Sequence, residues 1–357
     1  MRHISELPLS RKAVASHSWR NTAIPKRPGC PSTPGKMRRH LPFRLKPSRR
    51  RKGSVRVTQS QAWCEKGRQD YTPPLVPQAS AGHKQEMASN APQIFDNRRR
   101  MAIRARAVAC GMEKSFLLAQ MADELAERLA YVSRGFENVL LLGPIAVFAD
   151  HILGERAPVV TCDLMADEEA LEYPPGSLDL VISAGTLDSV NDLPGALVQI
   201  RRVLKPDGLF LGTLFGAGSL QTLKSAMLIA DGAQVQPHIH PQIDLRAISD
   251  LMTRAGFALP VADIDKLSVR YSDWRRLVSD VRDVGGSNAL SGPRRIARSL
   301  PPKLDTAWRN LAEPDGRVTE SFHFLQLSGW APAPSQPKPA ARGSGTVSLA
   351  SVLGKSG

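Results

Sequence analysis

The chain has 357 residues with 48 Lys/Arg against 33 Asp/Glu, a net charge of +15, and is long enough for one large domain or two small ones. Residues 1–86 hold 19 Lys/Arg and 4 Asp/Glu while residues 87–357 hold 29 of each sign, so the neutral globular part gives no electrostatic ground for nucleic-acid binding. Cysteines at 30, 64, 110 and 162 lack disulfide-framework or zinc-ligand spacing and fit a reducing, cytoplasmic location.

No apolar run reaches the roughly 18 residues of a membrane span; residues 139–153, the nearest, are broken by Gly143, Pro144, Asp150 and His151. The first 30 residues lack the apolar centre of a secretory signal. Residues 1–86 are rich in Arg, Pro and Ser without lasting periodicity and are expected to be disordered. Three readings fit them: a start called too early with Met87 as the first residue, a basic tail for nucleic acid or acidic lipid, or an organellar transit segment. The first is favoured because patterned sequence begins directly after Met87, giving a domain over 87–330 and a flexible Pro/Ala/Gly/Ser tail over 331–357.

Helical patterning covers 94–132. Its first part carries Arg98-Arg99-Arg100 and Arg104-Ala105-Arg106, read either as a solvated face or as an arm that covers a site or meets an acidic partner. Its second part, from Ser115, has Leu118, Met121, Leu125, Leu129 and Val132 on one stripe. A strand at 139–143 ends in Gly143, ahead of a helical run at 146–153; free amides at such a turn suit the polar or anionic part of a nucleotide or adenosyl ligand. The strand at 158–163 ends in Asp163, from which a carboxylate can bond both ribose hydroxyls, or can merely cap its own turn.

Strands at 178–183 and 209–215 flank a helix begun by Asp192 and Pro194 and ended at Lys205, with Gly208 taking the positive φ of the Pro206-Asp207-Gly208 turn. This is a right-handed crossover in a parallel sheet. Next come a helix at 220–229 capped by Ser219, surface histidines His238 and His240 without a third metal ligand, and a helix capped by Asp244 and closed by Gly256. Strands at 257–264 and 267–271, a helix capped by Ser272, a short helix at 305–311 and a last strand at 319–330 complete the pattern, which has no metal site and no internal repeat.

With these elements in place the chain resembles class I S-adenosylmethionine-dependent methyltransferases, in the subgroup that joins the malonyl-carrier-protein O-methyltransferase of biotin synthesis to a methyltransferase-type complex I assembly factor. The matching residues are Asp167-Glu168-Glu169-Ala170-Leu171, 177–183, 190–197, 204–210, 254–260, Ser287-Asn288-Ala289-Leu290 and Ser335-Gln336-Pro337-Lys338-Pro339. The resemblance implies a Rossmann-like α/β fold, its sheet mostly parallel with an antiparallel C-terminal strand and helices on both faces. It also implies an S-adenosylmethionine site made by Gly143, Asp163, Ser183 and Ala184, with Asp167 the rival of Asp163, because only 15 residues lie between Asp163 and Asp179.

Where family members show LDLGCGTG, residues 140–147 keep only Gly143, so Ile145 and Val147 are expected to crowd the cofactor's methionine portion. Arg99 or Arg282 would position an acidic acceptor. The implied activity is methyl transfer to a carboxylate or protein side chain, on an acyl carrier or acceptor protein. The alternative is a fold with a degenerate cofactor loop acting on a respiratory-chain subunit in complex I assembly, by arginine modification or by binding alone. A third reading, nucleic-acid binding, concerns residues 1–86 only.

Overall fold

The computed structural model describes residues 56–57, 93–154, 156–233, 235–292 and 296–336; these lie in one compact unit spanning 49–357. The strands are β1 (Arg56–Val57), β2 (Asn138–Leu142), β3 (Val159–Asp163), β4 (Leu178–Ala184), β5 (Leu204–Phe215), β6 (Ala258–Tyr271) and β7 (Val318–Trp330). The helices are α1 (Asn97–Ala109), α2 (Phe116–Ala130), α3 (Ala149–Leu153), α4 (Leu193–Val203), α5 (Gln221–Asp231), α6 (Leu245–Arg254), α7 (Trp274–Asp283) and α8 (Leu300–Asn310).

One sheet runs β1-β3-β2-β4-β5-β7-β6. Pairing is parallel from β1 to β5, and β7 is antiparallel to both β5 and β6. The chain places β3 on one side of β2 and β4 on the other, so the strand order reverses beside β2. Ligands of open α/β sheets bind at such a reversal, outside the carboxyl ends of the strands. From β3 the chain passes to β4 through 164–177 with no intervening helix or strand, as the short spacing to Asp179 requires.

Continuous apolar runs are what a sheet buried on both faces demands, because successive side chains leave opposite faces. Val139, Leu141, Leu180 and Ile182 join one core with Leu118, Met121 and Leu125 of α2, Leu223 of α5 and Leu304 of α8. Leu140, Leu142 and Val181 join the other with Leu197 and Ile200 of α4 and Ile248 and Met252 of α6. Helices thus cover both faces.

Several boundaries differ from the sequence reading for physical reasons. The α4 helix ends at Val203 and β5 begins at once, carrying Lys205-Pro206-Asp207-Gly208 within it. Asp207, not Gly208, takes the positive φ of 63°, and the backbone is satisfied by Ala331, which accepts from Asp207 N at 3.1 Å and donates to Gly208 O at 2.8 Å. The segment read as two strands forms one, β6 (Ala258–Tyr271), paired with β7 with a register shift between Ala258 and Val261. Asp273, not Ser272, caps α7.

Ser219 does not cap α5. Its hydroxyl accepts from His323 N at 2.9 Å, and the fully buried Glu320 of β7 accepts from Thr222 N at 3.2 Å and Leu223 N at 2.7 Å. A carboxylate from a distant strand does the work of a helix cap. Residues 331–336 continue from β7 and are held by Gln336 Nε2, which donates to Asp207 Oδ1 at 3.0 Å and Ala331 O at 2.9 Å. No helix among the described residues is long and apolar enough to cross a membrane.

Candidate functional site

The register aligns Leu142 of β2 with Asp163 of β3 on one side and Ser183 of β4 on the other. Gly143, Asp163, Ser183 and Ala184 therefore stand in one row at the strand ends. Gly143 has φ +77, and a Cβ there would overlap the Thr186 methyl; glycine is required by this close approach as well as by its backbone. Ser183 is buried with its Oγ 2.9 Å from Thr186 Oγ1, so the hydroxyl faces Thr186.

Asp163 is half-buried. Its Oδ1 accepts from Met165 N at 3.2 Å and its Oδ2 from Tyr173 Oη at 3.1 Å, leaving lone pairs on both oxygens for a further donor. Burial, then the Asp163 charge, pushes the Tyr173 phenol up, so this hydroxyl stays a donor. Asp167 stands outside the row: its Oδ1 accepts from Glu169 N at 3.2 Å and lies 3.9 Å from Arg100 Nη1.

Ile145 and Val147 do not crowd the row. The loop 143–148 is a tight helical turn that sends Ile145 fully into the core and packs Val147 against the same cluster. The substitutions of the glycine-rich pattern are thus absorbed on the core side.

Above the row lies a group of charges that sequence reasoning missed. Arg100 and Arg104, one turn apart on α1, are 3% and 4% exposed, and Glu168 is wholly buried. Arg100 Nη2 donates to Glu168 Oε2, Arg104 Nη2 lies 3.1 Å from its Oε1, and Arg104 Nη1 donates to Ala166 O at 2.9 Å. Burial pulls the Arg104 guanidinium down while Glu168 opposes the change. Asp188, in the field of all three, has its carboxyl pushed up to about 6, mainly by burial, with Arg104 and Arg100 pulling against it.

The arm's acidic partner is therefore within the chain, and this face of α1 is not solvated. A signal was present: Arg100 and Arg104 share the i, i+3, i+4 face with Ile103 and Ala107, and Ile103 and Ala107 are buried. Arg100 Nε and Nη1 have no hydrogen-bond acceptor among the described residues. Arg100 lines a cavity of about 10 Å³ with Pro144 and Gly185, room for about one water.

The start of α1 is pinned by backbone pairing: Phe95 bridges Leu290, Asp96 N donates to Ala289 O at 2.8 Å, and Asn191 Oδ1 accepts from Phe95 N at 2.7 Å. His238 and His240 belong to the same support rather than to the open surface. His238 Nε2 lies 2.9 Å from Asp231 Oδ2, and His240 accepts from Ala289 N at 2.7 Å and meets Phe95 edge-on. Among the described residues no three His, Cys, Asp or Glu side chains gather as a metal site.

A second cavity, of about 430 Å³, lies between α1, α5, α7 and the 286–291 segment. Arg99 and Arg282 both line it, joined by Arg106, so the two residues proposed to position an acceptor do come together. Ile103, His240 and Ser287 line this cavity and the small one below Arg100 alike, which makes the two spaces neighbours.

Residues 110–260 match the profile of a methyltransferase domain family. The mitochondrial arginine-hydroxylase NDUFAF5 of Mus musculus is 30% identical over 76% of this chain and 90% of its own length. The malonyl-[acyl-carrier protein] O-methyltransferase of Halorhodospira halophila is 32% identical over 61% of this chain and 82% of its own. The chain belongs to the methyltransferase family. A solved phosphoethanolamine N-methyltransferase of Haemonchus contortus in complex with S-adenosyl-L-methionine is 16% identical, with a TM-score of 0.34, over 60% of this methyltransferase-family chain and 53% of its own.

S-adenosylmethionine is the cofactor of the class I methyltransferases, and the donor set at the row suits it. Asp163 offers free lone pairs for a diol, while the two buried N–H groups of Arg100 without an acceptor face a space of about one water.

Proposed function

We propose that this methyltransferase-family chain transfers a methyl group from S-adenosylmethionine to an acidic acceptor. Asp163 would hold the ribose hydroxyls, and the backbone at Gly143 and Gly185 would face the ligand. When bound, the cofactor supplies an electrophilic methyl on a positively charged sulfur. A carboxylate oxygen of the acceptor would form the new carbon–oxygen bond, with the neutral thioether as the leaving group that keeps the electron pair of the broken carbon–sulfur bond. A carboxylate has no proton to lose, so the protein must only align the partners and exclude water.

One observation carries the acceptor class: Arg99, Arg106 and Arg282 gather on a cavity that neighbours the small space beside Arg100, Pro144 and Gly185, and among the described residues no Asp or Glu lines it. Such a cavity favours an anion. The acceptor would be an acid-terminated acyl group or an acidic side chain of a protein, in a reducing, cytoplasmic location. Incubating the full chain with methyl-labelled S-adenosylmethionine and a malonyl thioester on an acyl carrier tests this. The expected product is a base-labile methyl ester; label on no carboxylate acceptor, acyl or protein, would overturn the reading.

A second reading is modification of an arginine on a respiratory-chain subunit in complex I assembly. It is supported by the likeness to the mouse arginine-hydroxylase, which runs along nearly that protein's whole length. An added oxygen on arginine of a subunit peptide, found by mass spectrometry in place of a methyl ester, would favour it over the first.

A further inference from the structure

We propose that the cavity between α1, α5 and α7 binds an amphipathic anion, a single aliphatic chain ending in a carboxylate, with the chain inside and the carboxylate at Arg106 and Arg282. The proposal concerns a free aliphatic acid, not one tethered to a carrier or protein, and rests on the function above for catalysis but not for binding. At about 430 Å³ the cavity falls in the usual 300–1,000 Å³ range of small-molecule sites. One side of its wall is aliphatic, from Ile103 on α1, Leu223 and Met227 on α5, and Val278 and Val281 on α7, and the 236–240 and 286–291 segments supply polar side chains on the other. Burying a chain against such walls is favoured by roughly 0.8 kcal/mol per methylene.

The polar end is equally one-sided. Arg106 and Arg282 are exposed and neither forms a salt bridge among the described residues. Arg99 is already engaged, donating to Leu290 O and to Gly292 O at 3.4 Å and lying 3.9 Å from Asp96. Asp231, at the end of α5, is turned to His238. Two exposed guanidinium groups beside an apolar wall suit one carboxylate. A guanidinium ligand would meet like charge and find no carboxylate.

The mouth carries the same chemistry outward. The lining residue Ile296 is 67% exposed. An apolar side chain left in water on a cavity wall suits an apolar partner. A compact polar ligand would use the arginines and leave the aliphatic wall idle, and an uncharged lipid would use the wall and leave the arginines idle. An aliphatic acid uses both.

Calorimetric titration of the full chain with dodecanoate, below its micelle concentration, and with dodecyltrimethylammonium tests the assignment. Dodecanoate is expected to bind at least tenfold more tightly than the cation. Binding should fall at least tenfold in the Arg106→Gln, Arg282→Gln double variant and vanish in Ala102→Trp, which fills the cavity from an exposed helix position, with melting temperatures unchanged. Equal binding of the two probes, or dodecanoate binding that survives Ala102→Trp as the basic leading segment would produce, overturns the proposal. The same samples are titrated with S-adenosylmethionine. Cofactor binding without dodecanoate binding removes the ligand class and leaves methyl transfer standing; dodecanoate binding without cofactor binding removes methyl transfer and leaves the cavity site.

Discussion

Gly143 and Thr186 show how tightly the strand-end turn is made. A Gly143→Ala change must place a side chain on a left-handed backbone and against the Thr186 methyl, so it is expected to cost about 2–4 kcal/mol. A thermal melt checks this, and Thr186→Ser, which removes the obstructing methyl, should recover part of the loss. Glu168 holds two buried arginines; Glu168→Gln leaves two cations without their counter-charge and should destabilise by about 3–5 kcal/mol. Asp188 sets a pH dependence. Its folded pKa of about 6 lies above the unfolded value of about 3.9, so the native state holds the extra proton and stability falls as pH rises from about 4 to about 6. Asp188→Asn should flatten that slope and raise stability at pH 7 by on the order of 2 kcal/mol, read from denaturation curves at pH 4, 6 and 7. Gly143 and Asp163 were legible in the sequence because backbone freedom and a strand-end acid leave local marks. Thr186 and Glu168 were not, since each acts on a residue more than forty positions away.

Elements were legible where one periodicity ruled. The stripe of α2, the crossover from β4 through α4 to β5 and the long β7 followed from spacing. Errors came where a tertiary partner replaced a local signal. Ser219 is a good helix-capping residue by type, yet Glu320 takes the role, so Glu320→Ala should cost about 2–4 kcal/mol against about 1 for Ser219→Ala, measurable by chemical denaturation. The Pro206-Asp207-Gly208 segment has the composition of a turn, but Ala331 pairs with it and draws it into β5. The α1 helix has the composition of a solvated basic element, yet it closes over the strand ends with Arg100 and Arg104 turned inward.

At the scale of the whole molecule, two apolar cores on opposite faces of one mostly parallel sheet fix the fold, and the strand order reverses beside β2, where ligands of open α/β sheets bind. Family and fold were open to sequence reading because buried parallel strands and the segments around them carry long, patterned signals. The site was legible only in part: the row at Gly143 and Asp163 could be placed, and Arg99 and Arg282 do share a cavity, but the charge group that lies over the row is assembled from residues 100, 104, 168 and 188 by folding alone. The central claim is that this altered row still binds S-adenosylmethionine. Calorimetric titration of the full chain with S-adenosylmethionine tests it most directly. Micromolar binding that weakens at least tenfold in Asp163→Ala is the predicted result, and no binding at millimolar cofactor would contradict the account.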